Sequence, residues 1–215
     1  FHQGACSDTM EYDKKFMMDT NLEYSKKIFS IAKENNAKFI YASSASVYGL
    51  NKNSEEVEEN ESPLNIYAES KLLFDKYIMN QDYPAVGLRY FNVYGRGEEN
   101  KGKMASMAYQ MNYEYLQHKK ISLFKGTDGY QDGEQMRDFI YIDDVVSINM
   151  FFMEKSFHDI YNVGTGKAET FNAIAENIFK FYDDRNRNFN YIDMPSYLIP
   201  KYQNFTQANI KKLIA

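Results

Sequence analysis

Apolar side chains recur at helical spacing in three long stretches of the chain, residues 13–35, 104–119 and 171–182. The stripe in the second stretch consists of Met104, Met107, Ala108, Met111 and Tyr115. Lysines occupy the other side of the first stretch, as in a helix with one face on a core and one in water. The pattern therefore predicts three amphipathic helices, and residues 210–215 resemble the start of another.

Short apolar runs between polar segments predict strands at residues 38–42, 86–90, 121–124 and 160–163. Residues 137–145 have the pattern of a strand that continues directly into a helix. Because strands alternate with helices along the chain, we expect an α/β fold with a parallel sheet.

The polar stretches predict connections between these elements. Residues 51–61 are acidic and rich in Asn, Ser and Lys, which indicates a solvated loop. Residues 91–95 are expected to form the exit loop of the second strand, and residues 164–166 a turn before a helix. Pro63 suits a helix entry, so we predict a helix over residues 65–80.

Composition narrows the functional classes. The net charge of -5 argues against a nucleic-acid partner bound through its phosphates. No apolar run approaches the roughly 18 to 20 residues that a membrane-spanning helix needs. Cys6 is the only cysteine, so no disulfide can form within the chain, and we expect a cytoplasmic protein. No metal site is expected.

Tyr67 and Lys71 are four residues apart, so both side chains lie on one face of the predicted helix. An ammonium beside a phenol favours the ionised phenol, which makes Tyr67 a candidate acid/base near neutral pH. Ser44 follows the first strand, at the edge of a parallel sheet where ligands bind. Lys71 could equally be a solvated helix residue, since lysines and tyrosines are frequent in this chain.

Ser44, Tyr67 and Lys71 resemble the catalytic Ser-Tyr-Lys set of the extended short-chain dehydrogenase/reductases, which include the sugar-nucleotide epimerases and dehydratases. The flanking text resembles most closely the ADP-heptose 6-epimerase branch of that family. The segments that carry this likeness are residues 4–7, 17–19, 41–45, 89–95, 100–102, 104–106 and 205–208. The resemblance extends over essentially the whole chain.

The resemblance implies a partial doubly wound, Rossmann-type parallel sheet with a small C-terminal α/β substrate-binding lobe. Residues 1–93 would form the C-terminal part of the dinucleotide-binding domain. Residues 94–215 would form most of the lobe, with residues 137–165 returning to the first domain. The glycine-rich G-x-G-x-x-G turn is not found in this sequence, so we expect about 70 residues to precede it.

The resemblance also implies an activity. Enzymes of this branch convert ADP-D-glycero-D-manno-heptose to ADP-L-glycero-D-manno-heptose for the inner core of lipopolysaccharide, by transient oxidation at C6 with bound NADP; NAD is possible here. In this interpretation Tyr67 is an acid/base, Lys71 lowers its pKa and holds the nicotinamide ribose, and Ser44 hydrogen-bonds the substrate oxygen. Lys101 would be a second acid/base, and Glu98 and Glu99 beside it would raise the lysine pKa and weaken it as a base.

The same resemblance also implies which residues bind the cofactor and the substrate. Cofactor binding is expected at Gln3, Gly4, Ala5, Cys6, Ser7, Thr20, Asn21, Lys71, Val93 and Lys101. Substrate binding is expected at Ser44, Asn92, Lys103, Gln110, Phe124, Lys125, Gly126, Thr127, Arg137 and Tyr202. Which of Thr20 and Asn21 contacts the cofactor stays open.

Arg137 would bind the nucleotide diphosphate, a role suited to its bidentate, permanently charged fork. The alternative is a structural ion pair between Arg137 and its neighbour Asp138. Lys103 and Gln110 stand where close relatives have serine and histidine, which affects the fine recognition of the sugar but not the reaction class.

Two other functions are compatible with this sequence. One is a different NAD(P)-dependent sugar-nucleotide enzyme, such as a hexose 4-epimerase or a 4,6-dehydratase. The other is a catalytically silent binding subunit, although the intact Ser-Tyr-Lys set argues against it. By family resemblance we also expect a homo-oligomer, specifically a homopentamer.

Overall fold

The computed structural model describes residues 1–215 and confirms the α/β class. The helices are α1 (Lys14–Met18), α2 (Tyr24–Glu34), α3 (Ile66–Met79), α4 (Met107–His118), α5 (Ile142–Glu154), α6 (Phe171–Phe181) and α7 (Lys211–Ile214). The strands are β1 (Phe39–Ser44), β2 (Ala85–Tyr90), β3 (Asn92–Tyr94), β4 (Ile121–Phe124), β5 (Met136–Tyr141), β6 (Asp159–Val163), β7 (Ala168–Thr170) and β8 (Phe189–Ile192). A π-helical turn, Asp19–Glu23, joins α1 and α2 into one continuous helical segment.

The central sheet has the parallel order β1-β2-β6. His2 extends it beyond β1, because its backbone N–H donates to Ile40 at 2.8 Å and its carbonyl accepts from Ala42 at 3.0 Å. Successive residues of a strand face opposite sides of a sheet, so each strand supplies two cores. The carboxyl ends of β1 and β2 meet at Ser44 and Tyr90, which are directly paired.

Helices cover both faces of this sheet. On one face Ile40 and Leu88 pack with Val145 and Phe152 of α5. On the other face Phe39 and Tyr41 pack with residues of α2 and α3; those helix residues are Phe29, Phe74 and Ile78. Because both faces of the sheet are buried, the central strands are continuous apolar runs and do not alternate between apolar and polar residues.

A second core lies between α4, α6 and the parallel pair β4-β8. Its buried members include Met111, Tyr115, Ile121, Leu123 and Phe179. A small sheet of order β3-β5-β7 connects the two cores, with β3 parallel and β7 antiparallel to β5. The predicted domain boundary near residue 93 therefore falls in a strand that pairs with β5.

Four local predictions are wrong. Residues 164–166 form a turn that leads into β7 and not directly into a helix. Residues 92–94 form β3 and not an exit loop, because they pair with β5. The helix predicted from residue 104 begins at Met107, with Ser106 as its N-cap. The acidic stretch of residues 51–61 is not simply solvated, since Ser54 and Asn60 are buried and Glu61 pairs with buried Arg89.

Candidate active site

Ser44, Tyr67 and Lys71 come together at the carboxyl end of β1. Ser44 is the last residue of β1, and its hydroxyl accepts from the backbone N–H of Ser46 at 3.2 Å. Asn65 caps the start of α3 and so fixes the first turn, which carries Tyr67. The Lys71 ammonium lies 5.9 Å from the centroid of the Tyr67 ring.

The electrostatics of this group differ from the prediction that Lys71 lowers the tyrosine pKa. Burial raises the pKa of Tyr67, and the neighbouring Ser44 hydroxyl opposes that rise. The Lys71 ammonium donates to the carbonyl of Ala42 at 2.8 Å. Burial lowers the pKa of Lys71 itself to about 8, with Asp75 acting in the opposite direction. The pKa of Tyr67 is thus raised and not lowered in this structure, and ionisation of the phenol during catalysis stays a prediction.

Asn21 anchors the segment that faces this group. Its side chain accepts from the Cys6 backbone N–H at 2.8 Å and donates to the Cys6 carbonyl at 2.9 Å and to the Ser70 hydroxyl at 3.1 Å. Asn21 is buried in the π-helical turn, whereas the neighbouring Thr20 is partly exposed. Asn21 thus positions residues 4–7, and open space adjoins Gly4 in that segment.

A buried polar cluster beneath the group has no counterpart in the sequence predictions. Asp75 accepts from Tyr41 at 2.8 Å, from Ser43 at 2.9 Å and from Arg89 Nε at 2.9 Å. Arg89 is 1% exposed and also pairs with Glu61. The sequence held one indication of this cluster, an arginine within an apolar strand, because a buried charge needs a partner of opposite charge.

Arg137 lies in β5, and no carboxylate forms an ion pair with it. Its guanidinium carbon is 5.0 Å from the centroid of Tyr202 and 5.4 Å from that of Phe171, and Nη1 donates to the Met136 carbonyl at 2.9 Å. The side chain is only 8% exposed, and burial lowers the pKa of Arg137. An anionic ligand would supply the missing counter-charge.

The alternative pairing of Arg137 with Asp138 is wrong. Asp138 accepts from Thr165 N–H and hydroxyl, both at 2.7 Å, from Gly166 N–H at 2.9 Å and from Ala208 N–H at 3.0 Å. Adjacent strand residues point to opposite faces, which separates the two side chains. Asp138 therefore ties the C-terminal segment to the turn after β6.

Two cavities adjoin Tyr202, and Arg137 lines one of them. One, of about 320 Å³, is lined by Arg137, Tyr202, Ser46 and Asn65, so it connects the arginine with the start of α3. The other, of about 610 Å³, is mostly apolar. It is lined by residues that include Gln110, Phe124, Phe171, Ile192 and Tyr202. The predicted substrate residues Gln110, Phe124 and Tyr202 thus share one cavity, with Phe124 edge-on to Tyr202 at 5.9 Å.

Lys101 lies on the loop that precedes α4. Its side chain is 52% exposed, and its ammonium lies 3.7 Å from the carboxylate of Glu98. Glu98 is buried and accepts from Gly95 N–H at 3.0 Å and from Ser106 N–H at 2.6 Å, so it closes the loop at both ends. Lys103, on the same loop, forms an ion pair with Asp8 at 2.8 Å.

Most of the remaining predicted residues have hydrogen-bond or ion-pair partners within the chain. Gln3 forms hydrogen bonds with Tyr90 and Asn149, and Asn92 accepts one from Thr206. Gln110 donates to the carbonyls of Ala105 and Lys103. On the next loop Lys125 pairs with Asp193, Gly126 donates to Asp132, and Thr127 donates to Asn204. Val93 packs against the central core, while Ala5 is partly exposed and Ser7 is exposed. A side chain at position 126 would meet the Tyr130 carbonyl, so glycine is required there. Lys125 turns away from the apolar cavity toward Asp193.

The parallel sheet with serine, tyrosine and lysine at its carboxyl edge defines a protein of the short-chain dehydrogenase/reductase class. Residues 1–164 match the NAD dependent epimerase/dehydratase family. The chain belongs to that family. No helix in the structure has both the length and the apolar character to cross a membrane.

Solved structures share this fold over the whole chain. The ADP-L-glycero-D-manno-heptose-6-epimerase of Helicobacter pylori is 38% identical, with a TM-score of 0.86, over 100% of this chain and 64% of that protein. The UDP-N-acetylglucosamine 4-epimerase of Methanobrevibacter ruminantium is 26% identical, with a TM-score of 0.85, over 99% of this chain and 69% of that protein. The UDP-glucose 4-epimerase of Thermus thermophilus, at 23% identity and a TM-score of 0.78 over 99% of this chain and 68% of that protein, shows the fold alone. The chain thus spans about two thirds of the length of these proteins.

Proposed function

We propose that this chain contains the catalytic and substrate-binding parts of an epimerase that converts ADP-D-glycero-D-manno-heptose to ADP-L-glycero-D-manno-heptose. The observation that carries the proposal is the 38% identity with the Helicobacter pylori enzyme along the entire chain. Buried Arg137 has no carboxylate partner and packs against Tyr202 and Phe171, which line an apolar cavity. This supports the proposal, since a nucleoside diphosphate combines an anion with an apolar ring.

The donor groups at the sheet edge fit a nicotinamide cofactor. The Tyr67 phenol and the Lys71 ammonium offer hydrogen bonds to a ribose, and open space adjoins Gly4 in the segment held by Asn21. When bound, the nicotinamide supplies reversible hydride transfer, which a secondary carbinol without an adjacent carbonyl requires. The family description names NAD, so NAD and NADP are both to be tested.

In the proposed mechanism the protein supplies the proton transfers. Tyr67 takes the proton of the reacting hydroxyl, and Ser44 hydrogen-bonds the substrate oxygen. Lys71 places a positive charge one helical turn from the phenol and favours the phenolate, which is the form that takes this proton. The substrate must turn before the second proton transfer, and Lys101 on the loop before α4 is the proposed second acid/base.

The proposal includes the wider setting implied by this substrate. We place the enzyme in the synthesis of the lipopolysaccharide inner-core heptose, in the cytoplasm and as a homo-oligomer. We also retain the division into a dinucleotide-binding part, residues 1–93, and a lobe, residues 94–215, with residues 137–165 returning to the first part. The β2–β6 pairing supports this return.

A substrate panel tests the function. The protein is incubated with NAD or NADP and with ADP-heptose, UDP-hexoses or GDP-hexoses, and inversion is followed by NMR of the sugar. Inversion of ADP-heptose alone is expected. Turnover of a UDP-sugar instead would favour a hexose 4-epimerase, which the Methanobrevibacter ruminantium match makes the second candidate. Binding without turnover across the panel would indicate a silent binding subunit.

A further inference from the structure

One ion pair joins the loop before α4 to the N-terminal segment, residues 1–12. The Lys103 ammonium lies 2.8 Å from the Asp8 carboxylate. No other hydrogen bond or ion pair of the structure connects residues 95–106 with this segment. The position of the loop relative to the segment therefore depends on this contact.

Asp8 is held in place before it meets the lysine. Its Oδ1 accepts from the backbone N–H of Met10 at 2.9 Å, which leaves Oδ2 for Lys103. Just before it in the chain, Asn21 binds both backbone groups of Cys6. Surface ion pairs are usually weak because two mobile side chains must be ordered, and here one of the two is ordered already.

Lys103 lies in a 3₁₀ turn, Gly102–Met104, and Lys101 is the N-cap of that turn. The Met104 N–H donates to the Lys101 carbonyl at 3.1 Å, and the Gln110 side chain donates to the Lys103 carbonyl at 3.3 Å. These bonds make the turn one local unit. A contact that fixes Lys103 therefore also fixes the backbone that carries Lys101.

The ion pair connects the walls of the two cavities at Tyr202. Residues 9–12, next to Asp8 in the chain, line the cavity of about 320 Å³. Gly102, next to Lys103, lines the apolar cavity of about 610 Å³. The pair thus joins one wall of each cavity.

Glu11 is the other carboxylate of the N-terminal segment near this lysine. Asp8 and, more weakly, Glu11 raise the pKa of Lys103. Glu11 forms no ion pair with Lys103, and its Oε1 accepts from the Asp13 N–H at 2.8 Å. The substitution Asp8→Asn therefore removes the ion pair alone, whereas Lys103→Met removes the attraction to both carboxylates.

We propose that the Lys103–Asp8 ion pair is a clasp that fixes the Lys101 turn against the N-terminal segment, with Lys103 and Asp8 as positioning residues for the second acid/base. The inference rests on the proposed function for the role of Lys101. It replaces direct substrate binding as the role of Lys103. A displacement of about 1 Å is enough to reduce the effect of a catalytic group, so the position of this turn matters for the rate.

Hydrogen exchange followed by mass spectrometry tests the clasp without a substrate. The probe is the peptide of residues 99–105, whose sequence is unchanged in Asp8→Asn. We expect its exchange to be about two- to fivefold faster in that variant, the ratio that corresponds to an exposed ion pair. Asp19→Asn, which breaks the exposed ion pair of Asp19 with Lys15, is the control and should leave the peptide unchanged.

Salt provides a second measurement on the same peptide. In 1 M NaCl, which screens exposed charges, exchange in the wild type should approach that of Asp8→Asn, and the variant itself should change little. Equal exchange in the wild type and Asp8→Asn at low salt would overturn the clasp.

Activity measurements test whether the clasp acts through Lys101. Asp8→Asn and Lys103→Met should each lower kcat for ADP-heptose by about two- to fivefold, with KM changed less. The charge-reversed double variant Asp8→Lys/Lys103→Asp should be more active than Lys103→Asp alone. In a Lys101→Met background Asp8→Asn should lower kcat no further, because the group that it positions is gone.

Two outcomes would overturn the positioning role. One is a further loss of kcat from Asp8→Asn in the Lys101→Met background. The other is a raised KM in Lys103→Met with wild-type kinetics in Asp8→Asn, which would make Lys103 a direct substrate ligand. Faster exchange in Asp8→Asn in a protein that turns over none of the sugar nucleotides would support the clasp and refute the epimerase.

Discussion

The guanidinium of Arg137 lies 5.0 Å from the ring centroid of Tyr202, and no carboxylate pairs with it. Both side chains line the cavity that extends from the start of α3. A buried cation without a counter-ion is costly, and proteins retain such groups where an anionic ligand completes them. This relationship makes Arg137 and Tyr202 the proposed diphosphate site.

Arg137→Met should weaken the binding of ADP. Loss of a charge-assisted phosphate contact costs about 1.5–3 kcal/mol, which corresponds to roughly 10- to 100-fold in Kd. Isothermal titration calorimetry with ADP measures the change. The free energy of unfolding should stay equal or rise, because no carboxylate loses a partner. Arg96→Met is the control, since Arg96 is exposed and pairs with Asp143. Equal ADP affinity in both variants would refute the role of Arg137.

The lowered pKa of Lys71 should make the free energy of unfolding rise with pH. Its pKa is about 8 in the folded protein and 10.5 in an ordinary environment. Between these values the unfolded chain binds more protons, so raising the pH favours folding. Below pH 8 both states are protonated, and the burial cost is fully present. The full gain corresponds to about 3 kcal/mol.

Urea unfolding of wild type and Lys71→Met from pH 7 to 10 isolates this effect, because other groups titrate alike in both proteins. The wild type should gain stability relative to Lys71→Met across this range. A constant difference between the two proteins would show that Lys71 titrates as an exposed lysine does.

Tyr67→Phe should lower kcat/KM for the sugar nucleotide by roughly 100-fold or more, the usual effect of losing an acid/base. The ring remains, so folding should be retained. Ser44→Ala should cost less, because it removes a hydrogen bond and leaves proton transfer possible. Tyr24→Phe is the control, since Tyr24 is 53% exposed on α2. A Tyr67→Phe enzyme with wild-type kcat/KM would remove the phenol from the mechanism.

Lys101→Met should also lower the epimerisation rate by roughly 100-fold if this lysine is the second acid/base. Glu98 holds the loop through the backbone of Gly95 and Ser106, so the substitution should leave the loop in place. The exposed Lys27 on α2 provides the control variant Lys27→Met. Full activity of Lys101→Met would leave Tyr67 as the only base, as in a hexose 4-epimerase scheme.

Asp138→Asn should destabilise the protein. Its carboxylate accepts from three backbone N–H groups and the Thr165 hydroxyl, and an amide nitrogen cannot accept. Leaving buried donors unpaired costs about 1–3 kcal/mol each, so a loss of about 3 kcal/mol or more in the free energy of unfolding is expected from urea titration. Asp143→Asn, at an exposed position, should change it little. Wild-type stability of Asp138→Asn would show that water satisfies these donors.

The sequence by itself determined the local elements and the pairing of residues within them. Pro63 as a helix entry predicted α3 as residues 65–80, and the helix observed is Ile66–Met79. Tyr67 and Lys71 share a face because four residues make about one turn. Ser44 lies at a sheet edge because the apolar run before it ends there. These properties depend on residues that are close together in the chain, so the sequence alone is enough to predict them.

The tertiary structure decided which charges are buried and what each one contacts. Nothing local indicates that Arg89 meets Asp75 and Glu61, or that Asp138 turns from Arg137 toward Thr165. The acidic loop became partly buried through such a long-range pair, and β3 formed because β5 lies beside it. A pKa depends on desolvation and on charges brought near by folding, so Tyr67 and Lys71 acquire theirs only in the folded protein.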